Sequence, residues 1–186
     1  AELSANHKGD IELVKKLMEV ATDCGADAIK IQSYHADTMT IKSDNSDFIV
    51  KHGVWKGKSL YELYEKAQTP FKWHEELFSF AKKKNIILFS TPFDESAVEL
   101  LTKVGVPAFK ISSFENTDVG LIKNVAARNK PVLISTGMAE KNEIKKVVET
   151  VRQAGCEELL LFHCISSYPT PLASSKLNMI KMLSNE

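Results

Sequence analysis

The sequence predicts an α/β protein, a (β/α)8 TIM barrel, with about the first six βα units lying within these 186 residues. Three observations predict it. Short apolar runs alternate strictly with longer segments of helical period, the pattern of repeated βα units on a parallel sheet. Polar residues follow every apolar run, as the mouth of a barrel requires, whereas an open doubly wound sheet gathers its site at one switch point. No G-x-G-x-x-G follows the first run, so the dinucleotide-binding form of the open sheet lacks its sequence mark.

The elements follow in order. Residues 1–5 read as what remains of a first strand, ending in Asn6-His7-Lys8-Gly9. Leu13, Leu17, Val20 and Ala21 give one apolar face to a helix over about 10–23, which Gly25 closes. Residues 26–31 form a second strand that runs out at Lys30 and Gln32. The connection over about 33–69 is long for a compact domain and predicts a lid or a binding loop. Within it, Tyr61 and Tyr64 stand three apart and share a face of a short helix, with core packing as their default role.

Pro70 suits the first turn of a helix reaching about residue 84. A third strand over 86–89 runs into Ser90-Thr91-Pro92-Phe93-Asp94, and a helix covers 94–103. The fourth strand begins near Val106 and carries Lys110 towards Ser112, Ser113 and Glu115. Helices over 118–129 and 141–154, the latter ended by Gly155, flank a fifth strand at 131–134 that leads into Ser135-Thr136-Gly137-Met138. A sixth strand at 158–162 precedes His163, Ser166 and Tyr168, and a last helix is expected over about 173–184.

Composition narrows the function. With 24 basic and 24 acidic residues the formal net charge is zero, which favours neither nucleic acid nor an anionic membrane as partner. No run approaches the roughly 18 apolar residues of a membrane span. Cys24, Cys156 and Cys164 form no C-x-x-C pair, so reduced thiols in a cytoplasmic protein are expected, with Cys24 and Cys156 as packing residues. The chain opens inside a strand with no initiator methionine and stops after six units, which would leave a strand edge uncovered. A longer parent, cut at both ends here, is therefore expected.

The polar strand ends comprise Glu2, Asn6, His7, Lys30, Gln32, Thr91, Lys110, Ser113, Glu115, Ser135, Thr136, His163, Ser166 and Tyr168. Hydroxyls and amides around two lysines suit a phosphate or carboxylate cradle, and Glu2 and Glu115 can manage protons. Any one Ser or Thr in such a set is more often a turn or cap residue, so the signal is the ensemble. Lys110 on its own would snorkel to solvent; desolvated, it suits a Schiff base; among serines and Thr91 it suits a charged group holding an anion. His7 and His163 form no H-x-x-x-H pattern and make weak metal candidates.

The stretches Ala1-Glu2-Leu3-Ser4-Ala5-Asn6-His7, Gly25-Ala26-Asp27-Ala28-Ile29-Lys30-Ile31-Gln32, Ser90-Thr91-Pro92-Phe93, Phe109-Lys110-Ile111-Ser112-Ser113, Ser135-Thr136-Gly137-Met138 and Tyr168-Pro169-Thr170-Pro171 occur in the order and spacing of the sialic acid synthase family, which the chain resembles over essentially its whole length. Ser113-Phe114-Glu115 and Leu60-Tyr61-Glu62-Leu63-Tyr64 resemble the pseudaminic acid synthases within it; Phe114 and Ser166 depart from the glycine and asparagine usual in N-acetylneuraminate synthases.

The resemblance implies a barrel followed by an antifreeze-like domain, in a domain-swapped homodimer. It also implies condensation of phosphoenolpyruvate with an N-acetylated amino-sugar aldehyde to a nonulosonic acid, aided by Mn2+ or Mg2+. By position, Thr91, Lys110, Ser113, Ser135 and Ser166 should hold phosphoenolpyruvate, Lys30, Gln32 and Tyr168 the carboxylate and sugar, and Glu2 and Glu115 should stand near the reacting centre. The family's metal histidines and sugar-binding arginine fall beyond residue 186, so the fragment is expected to be inactive and the full-length parent active.

Overall fold

Helix starts are written into the sequence as side-chain caps. In the computed structural model, which describes residues 1–53, 55–167 and 169–184, Asp10 accepts the Glu12 amide at 2.9 Å and opens α1 (Ile11–Asp23). Asp94 does the same for α5 (Glu95–Lys103) through the Ala97 amide at 3.0 Å, and Asp118 for α6 (Val119–Ala126) through the Leu121 amide at 2.9 Å. Each bond satisfies an amide that a helix start otherwise leaves without a partner. The chain divides into two compact units, Ala1–Val106 and Pro107–Glu186.

In the first unit, β1 (Ala28–Ser33) pairs in parallel with β2 (Ile87–Pro92), Lys30 opposite Phe89 and Gln32 opposite Thr91. Strand alternation buries Ile29, Ile31 and Ser33 on one face and sets Lys30 and Gln32 on the other. Ile29 and Ile31 pack with Leu3, Val14 and Met18 of α1, Leu77 and Ala81 of α4 (His74–Lys83), and Leu88. Burying each large aliphatic group here contributes about 1.5–3 kcal/mol.

The expected first strand is reduced to one parallel bridge between Glu2 and Lys30, with the Leu3 amide donating to Lys30 O at 3.0 Å. Ser4 adopts a left-handed φ of 46°, which turns the chain away after three residues. β2 runs past its apolar stretch because Thr91 and Pro92 keep pairing with Gln32 and Ser33. Pro70 does not begin the long helix. It precedes a 3-10 turn, Phe71–Trp73, and α4 starts at His74, whose Nδ1–H donates to Pro70 O at 3.2 Å. His74 is fully buried, and its Nε2 lies 2.6 Å from Ser33 Oγ, itself 2.6 Å from Ser90 Oγ.

The long insertion holds α2 (Ala36–Met39), a 3-10 turn at Ser46–Phe48 and α3 (Leu60–Ala67), capped by Ser59. Tyr61 and Tyr64 do lie on this short helix, yet neither is a core residue. Tyr61 donates to Asp37 Oδ1 at 3.0 Å, and Tyr64 meets the buried Tyr34 edge-on.

In the second unit, β3 (Phe109–Ile111), β4 (Val132–Ser135) and β5 (Leu159–Phe162) pair in parallel in that order. α6 packs against α7 (Lys141–Gln153), which begins in a capping box of Glu140 and Glu143. The expected single helix over 173–184 is instead a 3-10 turn, Leu172–Ser174, and a short α8 (Met179–Leu183). Lys176, at a φ of 42°, lies between them and interrupts the helical path. Cys156 is buried as expected, Cys24 is exposed because it lies on the solvent side of the α1 end, and all three thiols are free. No helix among the described residues is long and apolar enough to cross a membrane.

Candidate functional site

The predicted site residues fall into two groups, one in each unit. In the first unit, β1 presents Lys30 and Gln32 on the face that β2 extends with Thr91. Lys30 forms an ion pair with Glu2, and its Nζ lies 3.4 Å from Thr91 Oγ1. Glu2 also accepts the Ser4 amide at 2.8 Å, so the turn at Ser4 holds the carboxylate against Lys30. Ser4 Oγ donates to Gln32 Oε1 at 3.2 Å. Glu2, Lys30, Gln32 and Thr91 therefore form one connected patch, with Thr91 buried and Glu2 exposed.

In the second unit the centre is Lys110. It is the middle residue of a three-residue strand and only 8% exposed, so it does not snorkel to solvent. Its Nζ donates to Ser135 Oγ and to Ile111 O at 2.9 Å, and stands 5.3 Å from the centre of the Phe162 ring. An acceptor hydroxyl, a carbonyl and an aromatic face all favour an ammonium over a neutral amine. The register explains the contact: Lys110 lies opposite Leu133, and Ser135 is two residues further along β4 on the same face.

Ser113 and Ser166 close in on Gly137. A β-carbon at Gly137 would stand 2.7 Å from Ser113 Oγ and 2.5 Å from Ser166 Oγ, so only glycine fits there. Ser113 and Ser166 thus meet at Gly137, two residues along from Ser135, which accepts from Lys110 Nζ. Hydroxyls and a lysine gathered about one segment suit a phosphate or carboxylate. Glu115 is half-buried and bonded by Ser112 Oγ; burial pushes its carboxyl above the usual range despite that bond and the nearby Lys110. A carboxyl raised in this way suits proton transfer. Tyr168 lies outside the described residues.

Three site residues, Asn116, Phe162 and Cys164, escaped the sequence reading. Asn116 is 4% exposed, and its Nδ2 donates to Ser135 O and Gly137 O, both at 3.2 Å. It ties down the segment that carries Ser135. In the sequence it is one polar residue in a turn-like Ser112–Asp118 stretch, and nothing but burial distinguishes it. Phe162 and Cys164 were missed for a similar reason: Cys164 lies 3.3 Å from Ser135 Oγ, a contact no local motif encodes.

His7 and His163 both bond main-chain groups. His7 Nδ1 accepts the Gly9 amide at 3.0 Å, so its Nε2 carries the proton and donates to Ala67 O at 3.1 Å. His163 Nε2 donates to Ser175 O at 2.8 Å. Among the described residues no group of three or more His, Cys, Asp or Glu could hold a metal ion.

The chain is 42% identical over 183 residues to a pseudaminic acid synthase of Campylobacter jejuni subsp. jejuni, covering 98% of this chain and 53% of that protein. It is 39% identical to a pseudaminic acid synthase of Helicobacter pylori (98% and 54% covered) and 37% identical to an N,N'-diacetyllegionaminic acid synthase of Campylobacter jejuni (98% and 55%). Among solved structures, an N-acetylneuraminic acid synthetase from Leptospira borgpetersenii superposes with a TM-score of 0.86 at 29% identity, covering 100% of this chain and 60% of that one. The spore coat polysaccharide biosynthesis protein spsE of Bacillus subtilis gives 0.81 at 32% identity (100% and 48%).

These neighbours and the strand–helix alternation place the fold in the α/β class, of TIM-barrel type. The chain spans about half the length of the relatives it matches. A family model described as the NeuB family matches residues 17–186, and the chain belongs to that family.

Proposed function

We propose that the protein, at the length of its relatives, condenses phosphoenolpyruvate with the open-chain aldehyde of an N-acetylated amino sugar, releasing phosphate and forming pseudaminic acid. The observation that carries this reading is the buried Lys110, bonded to Ser135, on the segment where Ser113 and Ser166 meet Gly137. Those groups suit the phosphate end of phosphoenolpyruvate, to which Thr91 is also assigned. Lys30 and Gln32, with Tyr168, are assigned to the carboxylate and sugar.

In the reaction the methylene carbon of phosphoenolpyruvate attacks the aldehyde carbon and forms the C–C bond. Water adds to the oxocarbenium carbon that results, and phosphate departs with C–O cleavage. Glu115, with its raised carboxyl, and Glu2 are assigned to the protons: one reaches the new alkoxide and one leaves the entering water. Fixed donors aimed at the departing phosphate stabilise its developing charge.

A divalent cation, Mn2+ or Mg2+, belongs to the proposal and would polarise the aldehyde. The described residues supply no site for it, and no step above runs through it. A following antifreeze-like domain, a domain-swapped homodimer and a cytoplasmic location complete the reading. The choice of pseudaminic acid rests on Phe114, on Ser166 and on the 42% and 39% identities to two pseudaminic acid synthases.

The test is phosphate release by the full-length protein with phosphoenolpyruvate, manganese and either the diacetamido-trideoxy-altrose acceptor or N-acetylmannosamine. Release with the altrose derivative alone, lost in Lys110→Ala, is expected. Release with N-acetylmannosamine instead would overturn the product assignment, and silence with both would overturn the activity.

A further inference from the structure

The insertion over 33–69 encloses a pocket of about 550 Å³ against the end of β1. That volume lies within the roughly 300–1,000 Å³ of small-molecule sites. Gln32, Tyr34, Trp55, Lys58, Leu63 and Tyr64 line it. None of these is a carboxylate, and the remaining lining residues add only small, aliphatic and lysine side chains. Gln32 belongs to both sites, since it also stands in the patch with Ser4, Lys30 and Thr91.

The lining sets an amide and a lysine beside large apolar groups. Gln32 Oε1 accepts from Ser4, and the Gln32 NH2 remains a donor for a ligand. Lys58 can only donate. The hydroxyls of Ser4, Tyr34 and Tyr64 on the same pocket lining can donate or accept. Its walls are otherwise apolar: Leu63, the edge-on pair Tyr34 and Tyr64, and Trp55, which is 60% exposed. The exposed Trp55 ring offers an apolar face to this pocket.

A group with one carbonyl acceptor and one methyl satisfies both halves of this lining. We infer that the insertion pocket is the seat of an N-acyl group of the acceptor sugar, its carbonyl meeting the Gln32 NH2 and its methyl packing between Trp55 and Leu63. The inference rests on the function proposed above and adds a specificity site to it. Acceptor preference then resides in the insertion.

The experiment uses the full-length protein and its Trp55→Ala and Leu63→Ala variants. Saturation-transfer NMR with the diacetamido-trideoxy-altrose acceptor should show the strongest transfer to an acetyl methyl, lost in Trp55→Ala. Steady-state kinetics should show the acceptor KM raised about tenfold or more in both variants, with the phosphoenolpyruvate KM unchanged. Turnover by the parent with the acceptor KM of both variants within about twofold of it would overturn the pocket assignment while leaving the activity standing. Methyl transfer that depends on Trp55 in a parent without turnover would do the reverse, keeping the pocket and removing the activity.

Discussion

Replacing the buried Asn116 with alanine removes two hydrogen bonds. Both acceptors, Ser135 O and Gly137 O, then lose a donor at 3.2 Å. Leaving one buried polar group without a partner costs about 1–3 kcal/mol. Because one NH2 serves both carbonyls and their losses are coupled, the expected destabilisation is about 2–4 kcal/mol rather than the full sum. The functional consequence follows from position: the tethered segment carries Ser135, and Gly137 is pinched by Ser113 and Ser166. A loosened segment should raise the phosphoenolpyruvate KM about tenfold, equivalent to about 1.4 kcal/mol, and leave the acceptor KM unchanged.

The assay pairs urea denaturation with steady-state kinetics on the full-length protein. Asn116→Asp is the sharper control, since it sets a carboxylate oxygen against two carbonyl oxygens and should be at least as damaging as alanine. An alanine variant with stability within about 0.5 kcal/mol of the parent, and an unchanged phosphoenolpyruvate KM, would refute the tether.

Gly137→Ala should abolish activity while leaving secondary structure by circular dichroism unchanged, because the added carbon collides with Ser113 and Ser166; a fully active variant would show that the serines do not act from these positions. Burial holds the His74 imidazole below its ordinary pKa, so the folded state favours the neutral ring while the unfolded chain takes up a proton near pH 6.5. Stability from this residue is therefore complete above about pH 6.5 and is lost as the pH falls towards the folded value. Denaturation midpoints between pH 7.5 and 5 should show that slope, and His74→Gln should flatten it. Asp94→Ala removes the cap of α5 and should cost about 1 kcal/mol by urea denaturation; an unchanged midpoint would mean the cap bond carries no net stability.

Much of this architecture was legible because it rests on local signals. Asp10, Asp94 and Asp118 announce helix starts, and the strand alternation of Lys30 with Ile29 and Ile31 foretells which side chains reach the mouth. What was not legible depends on distance in sequence or on backbone conformation. The left-handed turns at Ser4 and Lys176 cut short a strand and a helix that composition alone would continue. Pro70 looked like a helix opener, but the bond from His74 to its carbonyl moved the start four residues on. Lys110 could be placed at a strand end, yet its burial depends on Ser135 and Phe162, some 25 or more positions away. Asn116 carried no mark at all, since a buried tether and a surface turn residue are written with the same letter.

The insertion is moored beside both sides of its exit by histidines that grip main chain. His7 holds Ala67 O and His74 holds Pro70 O. Every residue type offers the same carbonyl, so this mooring places no demand on the side chains between residues 50 and 66. Substitutions of pocket-lining residues such as Trp55 and Lys58 can therefore leave both anchors standing.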